Sequence, residues 1–186
     1  MRVIAGDGKG HRIAAPRGRD TRPTLDRVKE SLFGIIQFEV PGSVVLDLFA
    51  GSGSLGIEAL SRGARFAVFN DRSAECGKII AENLKKLGYW DRAEVYRLDF
   101  RSALDRFAAL NKRFDIAFLD PPYASNAAFD AALMLFEKGL LTDSAVVVAE
   151  HAAKTPFERA PGIFKVKSTR NYGDCALSLL ERDGEK

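Results

Sequence analysis

Val44-Val45-Leu46-Asp47-Leu48-Phe49-Ala50-Gly51-Ser52-Gly53-Ser54-Leu55-Gly56 decides the fold of this 186-residue chain. An apolar run ends on an acid, passes into a glycine-rich turn and opens a helical pattern. This is how a buried parallel strand hands over to a crossover helix, and glycines there let a ligand approach the backbone closely. Gly51, Gly53 and Gly56 also fit the dinucleotide fingerprint, with Asp71 standing 20 residues beyond Gly51, where a ribose-binding acid is expected. Taken alone, the glycines do not choose between cofactors.

Outward from this turn the pattern repeats. Apolar runs at Phe66 to Phe69, Ala93 to Leu98 and Ile116 to Leu119 are separated by helical stretches. Such alternation predicts an α/β, Rossmann-like fold on a parallel sheet with right-handed crossovers. Ile80, Leu84 and Leu87 share one helical face before Gly88, and Ser102 with Asp105 reads as a capping box. A helix over Ala127 to Glu137 leads to a strand at Ala145 to Ala149. Ile163 to Ser168 and Ala176 to Leu180, joined by the polar segment Thr169 to Asp174, predict an antiparallel hairpin closing the sheet. Toward the N-terminus, Arg2 to Ala5 and His11 to Ala14 flank a Gly-rich turn, a short hairpin. A helix follows with Thr24 as N-cap and runs to near Pro41 and Gly42. The expected organisation is one compact domain, with 1–22 a basic hairpin extension and 23–186 the main body.

Composition narrows the function classes. Residues 1–30 hold eight Lys or Arg against four acids, while the whole chain is only +3, so positive charge is concentrated at the N-terminus. A phosphate-binding face needs such concentration; a solvated basic arm is the plain alternative. Cys76 and Cys175, His11 and His151 are isolated in the sequence, so no zinc pattern, disulfide framework or metal site is expected. No stretch approaches the roughly 20 apolar residues that span a bilayer, and Met1 to Ala5 open no signal-peptide h-region. A cytoplasmic protein is expected, without a membrane partner.

Acids stand where successive strands meet their loops: Asp47, Asp71 and Asp99. In open sheets, ligands bind in that crevice. A pyrophosphate would favour a helix N-terminus, whereas S-adenosylmethionine (SAM) presents a sulfonium and an ammonium that acids serve better. The assignment for this cofactor, whose product is S-adenosylhomocysteine (SAH), puts Asp71 on the ribose hydroxyls, Asp99 on the adenine amine and Asp47 near the methionine end. Phe49, Ala50, Gly51, Ser52, Gly53 and Phe100 complete the cofactor set. Each acid on its own also suits a helix cap or surface position.

The fourth strand ends in Asp120-Pro121-Pro122-Tyr123. An acid and a backbone carbonyl there can accept the hydrogens of an exocyclic amine while the tyrosine ring stacks on a flat base. Holding nitrogen and methyl in line supplies rate through proximity. As a turn, the tetrapeptide would simply end the strand.

These residues resemble class I SAM-dependent methyltransferases with an Asp/Asn-Pro-Pro-Tyr motif, and within them the bacterial RsmD family. The likeness rests on Met1 to Ile4, Arg22-Pro23-Thr24 with Asp26-Arg27-Val28, Leu46 to Gly53, Asp120 to Tyr123, Glu150-His151 and Tyr172-Gly173-Asp174. It implies a seven-stranded sheet in the order 3-2-1-4-5-7-6 and methylation of the exocyclic N2 of guanine 966 in 16S ribosomal RNA. The substrate would be that RNA, a small ribosomal subunit or an assembly intermediate, and the enzyme a monomer. Arg2, Lys9, Arg12, Arg17, Arg19, Arg22 and Thr24 are the candidate RNA contacts. Relatives more often end the second strand in Glu, where this chain has Asp71. Adenine-N6 methyltransferases share the tetrapeptide, and a non-catalytic RNA-binding or assembly module would also account for the basic N-terminus.

Overall fold

The computed structural model describes residues 1–16, 23–122 and 126–184, with residues 23–25 as backbone alone. Strands β1 (Val44–Asp47), β2 (Phe66–Asn70), β3 (Ala93–Tyr96), β4 (Phe114–Leu119), β5 (Leu141–Ala152), β6 (Phe164–Tyr172) and β7 (Cys175–Arg182) form one sheet. Its order is β3-β2-β1-β4-β5-β7-β6, as the resemblance implied. β3 through β5 run parallel, and β7 lies antiparallel to both β5 and β6.

Helices α1 (Pro23–Ile35), α2 (Ser54–Ser61), α3 (Ala74–Leu87), α4 (Phe100–Ala109) and α5 (Ala127–Glu137) cover both faces. Alternation along each strand divides the core. Val45, Phe69, Ile116, Phe118 and Val148 pack with residues of α1 to α3, while Leu46, Val68, Ala117, Leu119 and Val147 pack with α4 and α5. Strands buried on both faces carry these near-continuous apolar runs. α3 is the most fully punctuated of the described helices: the Ser73 hydroxyl accepts from the Cys76 N–H, Lys85 and Lys86 sit in the last turn, and Gly88 takes the left-handed C-cap.

Several boundaries differ from those read in the sequence. α1 begins at Pro23, which suits the first helical position because it has no N–H to leave unpaired, so Thr24 is not the N-cap. The helix stops at Ile35, and residues 36–42 turn so that Ile36 and Val40 enter the core while Phe38 is left 87% exposed. Ser102 lies inside α4; Asp99 caps that helix instead, its carboxylate accepting from the Arg101 N–H at 3.0 Å. β5 runs on to Ala152 because its distal half pairs with β7 (Ala152↔Cys175), a partner invisible in local pattern. β6 likewise extends through Thr169 to Tyr172, leaving only Gly173 and Asp174 as the turn.

The N-terminal hairpin is reduced to a strap. Arg2 and Arg12 form a single antiparallel bridge, with Val3 N–H donating to the His11 carbonyl and Ile13 N–H to that of Met1. Val3 and Ile13 sink into the core while Arg2, Lys9 and Arg12 face solvent. The strap is pinned by Glu58 of α2, which is wholly buried. Its carboxylate accepts from the N–H groups of Ile4 (2.8 Å) and Ala5 (3.0 Å), from Arg62 Nε (2.8 Å) and from Lys29 Nζ (3.3 Å). Asn83 of α3 adds a second anchor, accepting from Ala14 N–H at 2.8 Å and donating to its carbonyl at 3.0 Å.

Removing one partner from a buried charge cluster strands the others. Glu58→Ala is expected to cost about 3–5 kcal/mol in urea unfolding. The same variant should expose the peptide bonds after Lys9 and Arg12 to trypsin earlier than in the wild-type protein.

Candidate active site

At the carboxyl ends of β1, β4 and β5 lies a pocket of about 1130 Å³. It opens where the strand order reverses, between β1 and β4, the switch point at which open α/β sheets bind ligands. One side is the loop Phe49, Ala50, Gly51 and Ser52; the middle is Asp120, Pro121 and Pro122; the far side is β5 and β7, through Val148, Glu150, Cys175 and Leu177. α1 contributes a further wall with Asp26, Lys29 and Leu32. The two motifs that the sequence singled out therefore share one cavity.

Asp47 forms its floor. The side chain is 2% exposed, and one oxygen accepts from the Gly56 N–H at 3.0 Å. Burial pushes its carboxyl up to about 7; the Gly56 hydrogen bond pulls against this, and the Asp71 charge adds to it. The loop above it depends on two glycines for different reasons. Gly53 adopts φ 79°, the left-handed region, as the residue preceding α2. Gly56 lets α2 lie close on β2: a Cβ there would stand 2.3 Å from the Phe69 ring.

Asp71 is a loop brace. Its carboxylate accepts from Gly51 N–H and Ser73 N–H, each at 2.9 Å. Neighbouring Asn70, 1% exposed, donates to the carbonyls of Leu48 (3.2 Å) and Leu98 (3.1 Å) and so joins the loops after β1 and β3. Asp99 stays exposed as the α4 cap, and Phe100 is buried against Phe49 with ring centroids 5.4 Å apart. Gly53, Asp71, Asp99 and Phe100 flank the pocket without lining it. Tyr123, Arg17, Arg19 and Arg22 lie outside the described residues, as does the Thr24 side chain.

Lys29 and Asn83 were not singled out in the sequence. Lys29, 5% exposed, reaches the Arg2 carbonyl at 2.7 Å and the Ser54 hydroxyl at 3.1 Å as well as Glu58. Burial holds its ammonium below the usual lysine range, and Glu58 opposes that shift. Asn83 also donates to the Ser52 carbonyl at 3.1 Å, so strap and glycine loop share an anchor. A signal existed for both: each is a polar residue at helical spacing with core residues, Lys29 with Leu32 and Phe33, Asn83 with Ile80 and Leu84.

Comparison with known proteins agrees with this geometry. Residues 1–181 match the family model described as Conserved hypothetical protein 95. The chain belongs to that family, the RsmD family. A relative, "Putative rRNA methyltransferase YlbH" of Bacillus subtilis, is 38% identical over 99% of this chain and 100% of its own length. "Ribosomal RNA small subunit methyltransferase D" of Escherichia coli is 29% identical over 100% of this chain and 91% of its own. The solved structure of "Putative methyltransferase yhhF from Escherichia coli" superposes with a TM-score of 0.88 at 29% identity, covering 100% of this chain and 99% of that one. The fold of this RsmD-family chain is that of class I SAM-dependent methyltransferases. Among the described residues, no helix is long and apolar enough to cross a membrane.

Asp47 makes stability pH-dependent in a definite direction. Its folded-state carboxyl titrates near 7 against an ordinary 3.8, so its contribution is full below about pH 4 and is lost as pH rises through 7. Asp47→Asn should therefore match the wild-type protein near pH 4 and exceed it at pH 8 by roughly 1–3 kcal/mol. Thermal melts across that range, without cofactor, check the divergence.

Proposed function

We propose that this chain is a SAM-dependent methyltransferase acting on the exocyclic N2 of guanine 966 in 16S ribosomal RNA, as free RNA or within a small subunit. The observation that carries this reading is the single pocket joining the glycine loop and Asp47 to Asp120, with a further lobe over β5 and β7. One ligand on the loop and one beyond Asp120 would meet at the tetrapeptide.

The chemistry of the lining fits SAM. Glycines leave the loop backbone approachable, and the carboxylate of Asp47 offers a counter-charge to a cationic ligand. When bound, that cofactor supplies an electrophilic methyl group on a positively charged sulfur. Asp47 with the Gly51–Ser52 backbone would hold the methionine end. Asp71 keeps lone pairs for ribose hydroxyls beyond its two backbone bonds, and Asp99 would face the adenine amine.

A nucleobase amine is a weak nucleophile because its lone pair is delocalised into the ring. Pro121 and Pro122 have no N–H groups, so the turn presents carbonyl acceptors and no competing backbone donors. The Asp120 carboxylate and the Pro121 carbonyl would take the two amine hydrogens and localise the lone pair toward the methyl carbon. Methyl transfer to the nitrogen would release the cofactor's sulfur as a neutral thioether, and Asp120 would pass the extra amine proton to water. Tyr123 would stack on the base. Proximity and oriented acceptors carry the rate.

The substrate reading draws on family membership, on relatives named as ribosomal RNA methyltransferases and on the solvent-facing Arg2, Lys9 and Arg12. Transfer of labelled methyl to 16S RNA and to small subunits from a strain lacking the gene, followed by mapping, tests it; product on adenine N6 would overturn the base. Asp120→Ala should lower kcat by about 10²- to 10³-fold while SAH affinity holds. Asp120→Asn, which keeps an acceptor oxygen, should stay within about tenfold. Lys9→Ala and Arg12→Ala should each weaken RNA binding and reduce the salt slope by about 1.

A further inference from the structure

Beyond Asp120 the pocket continues along the outer strands. β4 and β5 pair in parallel register through Leu119↔Ala149, so the next step on each strand is Asp120 and Glu150. Both line the cavity. Glu150 in turn pairs with Leu177 across the β5–β7 ladder, two positions from Val148↔Leu179 and two from Ala152↔Cys175. Val148, Glu150 and Ala152 thus point to one face of β5, and Leu177 and Cys175 to the same face of β7. The lobe has an apolar floor with a half-buried carboxylate set into it, at the level of Asp120 and one strand further from the glycine loop.

Asp120, Glu150 and Asp174 line this lobe together with Lys154. Cys175 sits within the field of Glu150, Asp120 and Asp174; burial first, then these three carboxylates, push its thiol up to about 11. It stays protonated at neutral pH and is no nucleophile. Asp174 is exposed in the two-residue turn between β6 and β7, whereas Glu150 is fixed on a strand paired on both sides. Of the acids beyond Asp120, Glu150 is the one held rigidly enough to read a base edge.

We propose that Glu150 selects guanine, its carboxylate accepting the N1–H of the target base while Asp120 accepts from the adjacent N2 amine. This rests on the guanine-N2 reading above. N1–H and the N2 amine are neighbouring donors on one edge of guanine, and a carboxylate just past β4 beside one on β5 matches two donors in a row. Adenine presents a lone pair at N1 beside its amine, which a carboxylate repels. A site that hydrogen-bonds a substrate N–H discriminates against an analogue that presents a lone pair there, because acceptor then faces acceptor.

2,6-Diaminopurine keeps the N2 amine of guanine but has an acceptor at N1 and an amine in place of O6, so the comparison across Glu150 variants assigns the N1 part of the preference. A 16S RNA ligated to hold guanine or 2,6-diaminopurine at the mapped position, both free and reconstituted with small-subunit proteins, is given to wild type, Glu150→Gln and Glu150→Ala. Wild type should favour guanine by at least 10²-fold in kcat/KM. Glu150→Gln, whose amide can donate to N1, should narrow that preference by tenfold or more, with SAH affinity unchanged. Glu150→Ala should lose kcat on guanine without gaining on the analogue. Equal preference in wild type and Glu150→Gln, or a wild type indifferent to the two bases, would overturn the assignment and leave the methyltransferase reading standing. No transfer by wild type to guanine in either form of the RNA would remove both.

Discussion

The strap, α1 and the start of α2 are tied together around a carboxylate shut off from solvent. Glu58 sits on α2 among Ile57, Ala59 and Leu60 and must be compensated from within the protein. Two strap amides, a lysine and an arginine do so, two donors to each oxygen. The compensation is also a joint. Lys29 brings α1, its bond to the Ser54 hydroxyl brings the first residue after the glycine loop, and Ile4 and Ala5 bring the strap. Glu58 therefore helps to set the pocket wall from α1 and the loop facing it relative to each other without itself lining the pocket.

Charge is arranged in opposite senses at two depths. Inside, Asp47 at the end of β1, Asp120 just past β4 and Glu150 on β5 follow one another along the pocket as a row of acids. Outside, Arg2, Lys9 and Arg12 decorate the strap. A polyanion is attracted to the strap and repelled by the acids of the pocket. The buried Asp47 tightens this: near neutral pH it is poised between its two forms, and a cation beside it would draw it to the charged one.

The crossover helices and the glycine loop were legible because they rest on local signals: apolar period, glycine at a positive φ and acids at strand ends; the sheet order came only with the family resemblance. What local pattern missed was made by distant partners. β5 gained length from β7, and Thr169 to Tyr172 became strand because Cys175 to Ser178 run alongside them. Asp99 was read as a ligand residue, and the structure adds that it caps α4. Lys29, Asn70 and Asn83 escaped attention because a polar residue on an apolar helix face or at a strand end announces burial without naming its partner. Glu150 entered only as part of a family likeness; its register beside Asp120 needed the strands to be placed.

The strap has a consequence for the order in which the chain becomes itself. Ile4 and Ala5 find their acceptor 54 and 53 residues later, and Ala14 finds Asn83 after 69. Synthesis proceeds from the N-terminus, so the strap is made well before α2 and α3, and it has nothing to dock against until both have emerged. A segment translated before its partners is thus among the later ones to settle. Its arginines and lysine become a fixed surface only once the helices that carry the glycine loop are in place.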